Sequence, residues 1–191
     1  MEKESVNQKL DLVHEMISMA RNRVTETGFH FLLWGVLVMM ASISQYLMLR
    51  AGMGNETNLV WLGISIIGVP VGVIYEKRRS AKEGASSSFD RIYSQLWLGF
   101  GLALFLTIFV SIMHKVNPTP FILLLVGLAT FVSGAIIRFV PLVAGAFVFW
   151  LAAGLSPLFD GVDYLLIYAA VIFLGYVIPG IMLAKKSKLH V

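Results

Sequence analysis

The sequence predicts an all-helical membrane protein, in which a bundle of six transmembrane helices follows an N-terminal amphipathic helix. Composition is the first reason, because 58% of the 191 residues are hydrophobic and only 14% are charged. A soluble domain of this size carries about a quarter charged residues. So much apolar surface cannot be buried in one small soluble core, and lipid is the solvent it requires. The second reason is that the apolar residues fall into six runs with polar or proline-containing breaks between them.

The segment 1–27 is predicted to be a cytoplasmic amphipathic helix. Ser5 and Gln8 have the spacing of a capping box. Beyond Ser5, apolar residues recur at alternating intervals of four and three, which is the spacing of an a/d stripe. The stripe consists of Val6 and five candidate partner-binding residues, Leu10, Val13, Ile17, Ala20 and Val24.

The charge of this segment indicates what the stripe contacts. Between Glu2 and Glu26 the segment has five acidic and four basic residues, whereas helices that bind anionic lipid are rich in Lys and Arg. A protein partner is therefore favoured: the bundle itself, a second copy of the chain or another cytoplasmic protein. The simplest alternative is that the helix folds back over the protein's own basic loop at 76–91.

Six apolar runs are long enough to span the hydrocarbon, which takes about 20 residues. They cover residues 29–49, 59–75, 94–113, 119–137, 141–157 and 164–184. The breaks are the polar loop 51–58, the charged loop 76–91, the proline-containing KVNPTP at 115–120, the short turn 138–141 and SPLFDGVD at 156–163. The transmembrane domain is thus predicted at 28–184, followed by a basic cytoplasmic tail at 185–191. The first run follows a long polar segment with no small-residue cleavage pattern, so it is predicted to remain as a spanning helix.

Lys and Arg residues predict the orientation. Thirteen of the fifteen lie on the side of the two termini, and only Arg50 and Lys115 lie on the other. Because basic residues are enriched in cytoplasmic loops, both termini are predicted to be cytoplasmic.

Two spans have proline and glycine inside an apolar run shortly before a basic cluster. GVPVG (68–72) precedes Lys77, and GYVIPG (175–180) precedes Lys185. A proline within a helix frees a backbone carbonyl, which in lipid needs another partner. Flanking glycines allow a neighbouring helix to approach closely. The structural interpretation is that spans two and six pack tightly at the inner face. The alternative is that the freed carbonyls line a solute path, for which the candidate residues are Pro70, Gly72, Arg138, Pro179 and Gly180.

Spans two, four and six each have a glycine shortly before the basic end, at Gly72, Gly134 and Gly180. This pattern would result from three hairpins built on one plan. It would also result from the general abundance of glycine in membrane helices.

Ionisable side chains do not converge inside the predicted spans. His30 and His114 lie at opposite ends of their helices, about a bilayer thickness apart, and the chain has no cysteine. We therefore expect a non-enzymatic protein with no cofactor, no metal site and no nucleic-acid partner. At the outer side, Glu56, His114, Asp160 and Asp163 are expected to be solvated, with a shallow cation site as the alternative.

Three segments, GFHFLLWG (28–35), FVPLVAGAFVFW (139–150) and GYVIPG (175–180), resemble an uncharacterised family of bacterial six-span inner-membrane proteins. The resemblance covers most of the chain. It implies a multi-pass protein of the bacterial plasma membrane and brings no catalytic residues with it. The leading functional hypothesis is a membrane module whose cytoplasmic face binds a protein partner or a second copy of the chain. The alternative is a transporter or channel for a small solute or ion.

Overall fold

The computed structural model describes residues 28–83, 88–159 and 161–188, and all regular secondary structure in these ranges is helical. The helices are α1 (Gly28–Arg50), α2 (Leu59–Glu83), α3 (Ser88–His114), α4 (Thr119–Ile136), α5 (Val140–Leu155), α6 (Tyr164–Ile172) and α7 (Ile178–Lys188). A π-helical segment, Phe173–Val177, joins α6 to α7. Short 3-10 turns precede α2 at Asn55–Asn58 and follow α5 at Ser156–Leu158.

The fold class predicted from the sequence is confirmed. Within the described ranges, six helical stretches are long and apolar enough to span a membrane. They are Gly28–Arg50, Asn55–Arg78, Ile92–His114, Thr119–Ile136, Val140–Leu158 and Tyr164–Lys186. The predicted amphipathic helix at 1–27 and the end of the basic tail at 189–191 lie outside the described residues.

The charged segment 76–91 differs from the predicted loop. Helix α2 continues through the basic cluster to Glu83, and α3 begins at Ser88. Glu, Lys, Arg and Ala all have high helix propensity, so the helix persists beyond the last apolar residue of the span. Most of the connection between spans two and three is therefore helical.

In the described ranges, three helices end in the same way, with one residue in the left-handed conformation. At the end of α4, Arg138 has φ +52°, the Phe139 N–H donates to the Gly134 carbonyl at 2.9 Å, and the Arg138 N–H donates to the Ala135 carbonyl at 3.2 Å. This is the Schellman motif, which usually has glycine at the left-handed position. Lys115 (φ +55°) occupies that position after α3, and Gly52 (φ +82°) occupies it after α1.

The spans differ greatly in how much of each is buried. Buried residues make up 50% of the most apolar stretch of the sixth span and 6% of that of the third. The largest fully buried side chains include Phe31 of α1, Leu142 and Phe149 of α5, and Leu183 of α7. The core therefore lies among spans one, four, five and six, while α2 and α3 expose wide apolar faces suited to lipid.

Glycines bring the core helices close together. A Cβ added at Gly127 of α4 would lie 2.5 Å from the Trp150 ring of α5, and one added at Gly134 would lie 2.9 Å from Val143. Gly72 and Gly180, by contrast, both face α1, at His30 and Leu32 respectively. The glycines of the proposed three-hairpin repeat thus do not make equivalent contacts.

Candidate functional site

The GVPVG motif places its glycines and its proline on opposite sides of α2. Gly68 is buried, and a Cβ added there would lie 2.9 Å from Leu37 and 3.0 Å from Trp34 of α1. Gly72 is buried against His30 at ordinary contact distance. Pro70 is exposed on the outer side of the helix, which is continuous through it. The two glycines therefore act as the close-packing surface of α2 on α1.

An aromatic contact closes the basic end of this α1–α2 pair. The rings of Phe29 and Tyr75 stack with centroids 3.7 Å apart and planes 14° apart. His30 meets Tyr75 edge-on at 6.1 Å. His30 is thus part of a packed helix contact at the end of the bundle.

The GYVIPG motif contains the π-helical segment and lies inside the bundle. Pro179 and Gly180 are both buried, and a Cβ added at Gly180 would lie 3.0 Å from Leu32 of α1. The N–H of Ile178 donates to the carbonyl of Phe173, five residues earlier, as a π turn requires. Pro179 has no N–H, so one backbone carbonyl of the preceding turn lacks its helical hydrogen bond.

The Gly175 carbonyl faces a glycine of α5. The position where Gly145 would have a Cβ lies 2.5 Å from the Gly175 carbonyl oxygen. In glycine that direction is occupied by a Cα hydrogen, so a Cα–H bond of Gly145 points at the carbonyl. Such contacts recur at close helix–helix interfaces. The backbones of α5 and the π-helical segment are therefore in direct contact at this point.

Arg138 lies at the surface of the protein. It is exposed in the left-handed turn between α4 and α5. The next residue, Phe139, is buried, and the Lys186 ammonium lies 5.6 Å from its ring centroid. The five candidate path residues are therefore divided: Gly72 and Gly180 both face α1, Pro179 is buried beside Gly180, and Pro70 and Arg138 are on the outside.

Small polar side chains are buried where spans four and six meet, a feature that the sequence analysis did not identify. Thr130 and Ser133 of α4 are fully buried, and Tyr176 of the π segment is buried close to the Thr130 side chain. The Thr130 hydroxyl donates to the Val126 carbonyl at 2.6 Å. The Ser133 hydroxyl has no hydrogen-bond partner among the described residues. The only signal in the sequence was the i, i+3 spacing of Thr130 and Ser133.

The opposite end of the bundle is held by polar side chains of the first two spans. Gln45 is buried; its amide nitrogen donates to Asn58 at 2.8 Å, and its amide oxygen accepts from the Trp61 indole at 2.7 Å. The Ser42 hydroxyl donates to the Leu165 carbonyl of span six at 2.6 Å. Both polar atoms of the Gln45 side chain are thus hydrogen-bonded within the protein, and we call this cluster of Gln45, Asn58 and Trp61 the structural clasp.

The described carboxylates at this end have different partners and do not form one site. Asp163 forms an exposed ion pair with Arg50 at 2.6 Å, and Glu56 accepts a hydrogen bond from the Gly54 N–H at 3.0 Å. Asp160 lies outside the described residues. In the part of the chain that the structure describes, no three His, Asp or Glu side chains are grouped to hold a metal ion.

The comparisons add no functional assignment, since no family model, curated protein or solved structure matches this chain. The six apolar helices make it a multi-pass integral membrane protein. The candidate partner-binding residues Leu10, Val13, Ile17, Ala20 and Val24 lie outside the described residues.

Proposed function

We propose that this chain is a non-enzymatic integral membrane protein whose cytoplasmic face binds a protein partner or a second copy of itself. In this proposal it lies in a bacterial plasma membrane with both termini in the cytoplasm. The apolar stripe of the N-terminal segment is the binding surface, and the six-span bundle is its anchor.

The contact between Gly145 and Gly175 is the observation that most favours an anchor over a conduit. The Gly175 carbonyl, in the turn that precedes Pro179, is directed at the backbone of α5, 2.5 Å from the Cβ position of Gly145. A transport site built from an interrupted helix would instead direct such carbonyls at a solute. Gly68, Gly72 and Gly180 likewise face side chains of α1. This packing favours a working surface outside the bundle.

The test is co-purification of two differently tagged copies, together with any bound partner, from membranes. Deleting residues 1–26 should abolish both dimerisation and partner capture while membrane insertion persists. Substituting Ile17→Glu, on the stripe, should have the same effect as the deletion. Ser18→Glu, one position away and off the stripe, is the matched control and should bind like the wild type. Unchanged association in the deletion variant would rule out this surface.

A further inference from the structure

We infer that the α4–α5 turn and the end of α7 form a binding site for the phosphate headgroup of an anionic phospholipid. The site consists of Arg138, Phe139 and Lys186. It lies at the end of the bundle where α1 begins and α7 ends, at the boundary of the spanning segments.

The turn fixes the backbone position from which the Arg138 side chain extends. Its φ of +52° and the two Schellman hydrogen bonds on either side of it hold the backbone in one conformation. The side chain is exposed and forms no ion pair with any described carboxylate. A guanidinium presented from a rigid turn is well suited to bidentate phosphate binding.

Phe139 brings a second cation to the same place. Phe139 is 7% exposed, and the Lys186 ammonium lies 5.6 Å from its ring centroid, within the range of a cation–π contact. Lys186 is thereby held over the residue that follows Arg138. Like Arg138, it has no ion-pair partner among the described side chains. Two cations with no ion-pair partner among the described residues thus lie beside one turn at the membrane boundary, which is the arrangement that attracts anionic headgroups.

The surface beside this turn favours a lipid over a free anion. Helix α5 begins directly after Phe139, and one of its faces is apolar and exposed along its length. Val140 is 75% exposed, Phe147 52% and Leu151 65%. Their spacing of seven and four residues places them on one side of the helix. An acyl chain on this stripe would have its headgroup at Arg138 and Lys186.

The experiment measures thermal unfolding of the purified full-length protein in a zwitterionic detergent. Phosphatidylglycerol is titrated against phosphatidylcholine with the same acyl chains, and inorganic phosphate is a separate arm. Phosphatidylglycerol should stabilise the wild type, while phosphatidylcholine and phosphate should not. Arg138→Gln and Lys186→Gln should each weaken the apparent phosphatidylglycerol affinity roughly fivefold, the effect of about one basic residue near an anionic surface.

Lys185→Gln is the matched control, because it removes the same charge from the same helical turn without touching Phe139. It should leave the phosphatidylglycerol affinity unchanged, and Lys186→Arg should retain it even if Lys186→Gln folds poorly. An equal loss in Lys185→Gln would overturn the site in favour of general charge attraction. Stabilisation by inorganic phosphate alone would overturn the lipid assignment, and an equal response to both lipids would overturn the proposal altogether.

Discussion

Gly145 and Gly175 are the residues on which the packing of spans five and six depends most. A Cβ at Gly145 would meet the Gly175 carbonyl oxygen at 2.5 Å, and one at Gly175 would meet the Phe149 ring at 2.6 Å. The first obstacle is backbone and cannot rotate aside. Here the absence of a side chain is itself the structural requirement.

Gly145→Ala should therefore destabilise the bundle by at least about 1–3 kcal/mol, the usual cost of overpacking a well-packed interior. Gly154, in the same helix, is the control, since a Cβ there would have no neighbour within 4 Å. Gly154→Ala should leave stability unchanged or slightly raised. Thermal unfolding in detergent measures both variants, and equal stabilities would show that the close approach is absent in the folded protein.

Arg138 combines an unfavourable backbone conformation with a charge. A left-handed conformation costs a residue other than glycine about 1–2 kcal/mol. Arg138→Gly should consequently be more stable than Arg138→Ala by about 1 kcal/mol, because both variants lose the guanidinium and only glycine loses the strain. Comparing the unfolding midpoints of the two variants measures the cost of the left-handed backbone conformation at position 138. Should alanine match glycine, the turn does not have the φ of +52° described above.

At the scale of elements, the proline motifs of spans two and six prove to be different structures. Pro70 lies on the exposed side of a continuous helix, whereas Pro179 is buried just after a π-helical segment. Both motifs have glycine and proline before a basic cluster, and the sequence pattern does not distinguish them. The difference comes from position in the bundle, because span six has neighbours on most sides and α2 packs mainly through its α1-facing side.

These motifs give the sharpest test of the solute-path alternative. If the motifs only pack helices, Pro70→Ala should raise stability, by up to about 3 kcal/mol, because an interior helix hydrogen bond is restored at an exposed position. Pro179→Ala should alter stability as well, and neither should change chloride flux in proteoliposomes. Chloride is the probe because a path lined by Arg138 would favour anions.

A protein-dependent chloride flux that Pro179→Ala abolishes, in a variant that still unfolds cooperatively, would support the path and contradict the packing interpretation. Arg138→Gln is the companion variant. It should change anion selectivity if Arg138 lines the inner mouth. It should have no effect on flux if Arg138 is only a structural residue of the α4–α5 turn.

Features that depend on residues close together in the sequence could be predicted, whereas features that depend on contacts between helices could not. The six spans were predictable because each depends on its own run of apolar residues. The buried clasp of Gln45 with Asn58 and Trp61 could not be predicted, because it depends on how α1 and α2 are rotated against each other. The Arg138 turn was located correctly, but its left-handed backbone was not anticipated, because the Schellman motif usually has glycine at that position.

The charged segment 76–91 was misjudged for a different reason. Charge was used as evidence for a loop, although Glu, Lys, Arg and Ala all favour helix once the chain has left the lipid. Helical structure to Glu83 leaves the basic residues of α2 on a helix that projects beyond the spanning segment. Hydropathy located the end of the span and could not locate the end of the helix.

At the scale of the whole molecule, α1 connects the parts of the bundle. Its Trp34 and Leu37 contact Gly68 of α2, its Phe31 meets Trp97 of α3 at 5.9 Å between ring centroids, and its Leu32 contacts Gly180 of span six. The proposed binding segment, residues 1–27, leads directly into this helix. A partner bound to the segment would thus be attached to a helix that contacts spans two, three and six.

The cytoplasmic location of the basic end is the central claim, because the proposed binding surface has a cytoplasmic partner only in that orientation. The chain has no cysteine, so single cysteines can be introduced in an otherwise unlabelled protein. Labelling intact cells with a membrane-impermeant thiol reagent should modify cysteines at Asn55 and Asn117. Cysteines at Ser5, Ser80 and Lys188 should react only after the membrane is permeabilised. Labelling of the Ser80 position in intact cells would contradict the orientation, and with it the proposed cytoplasmic binding surface.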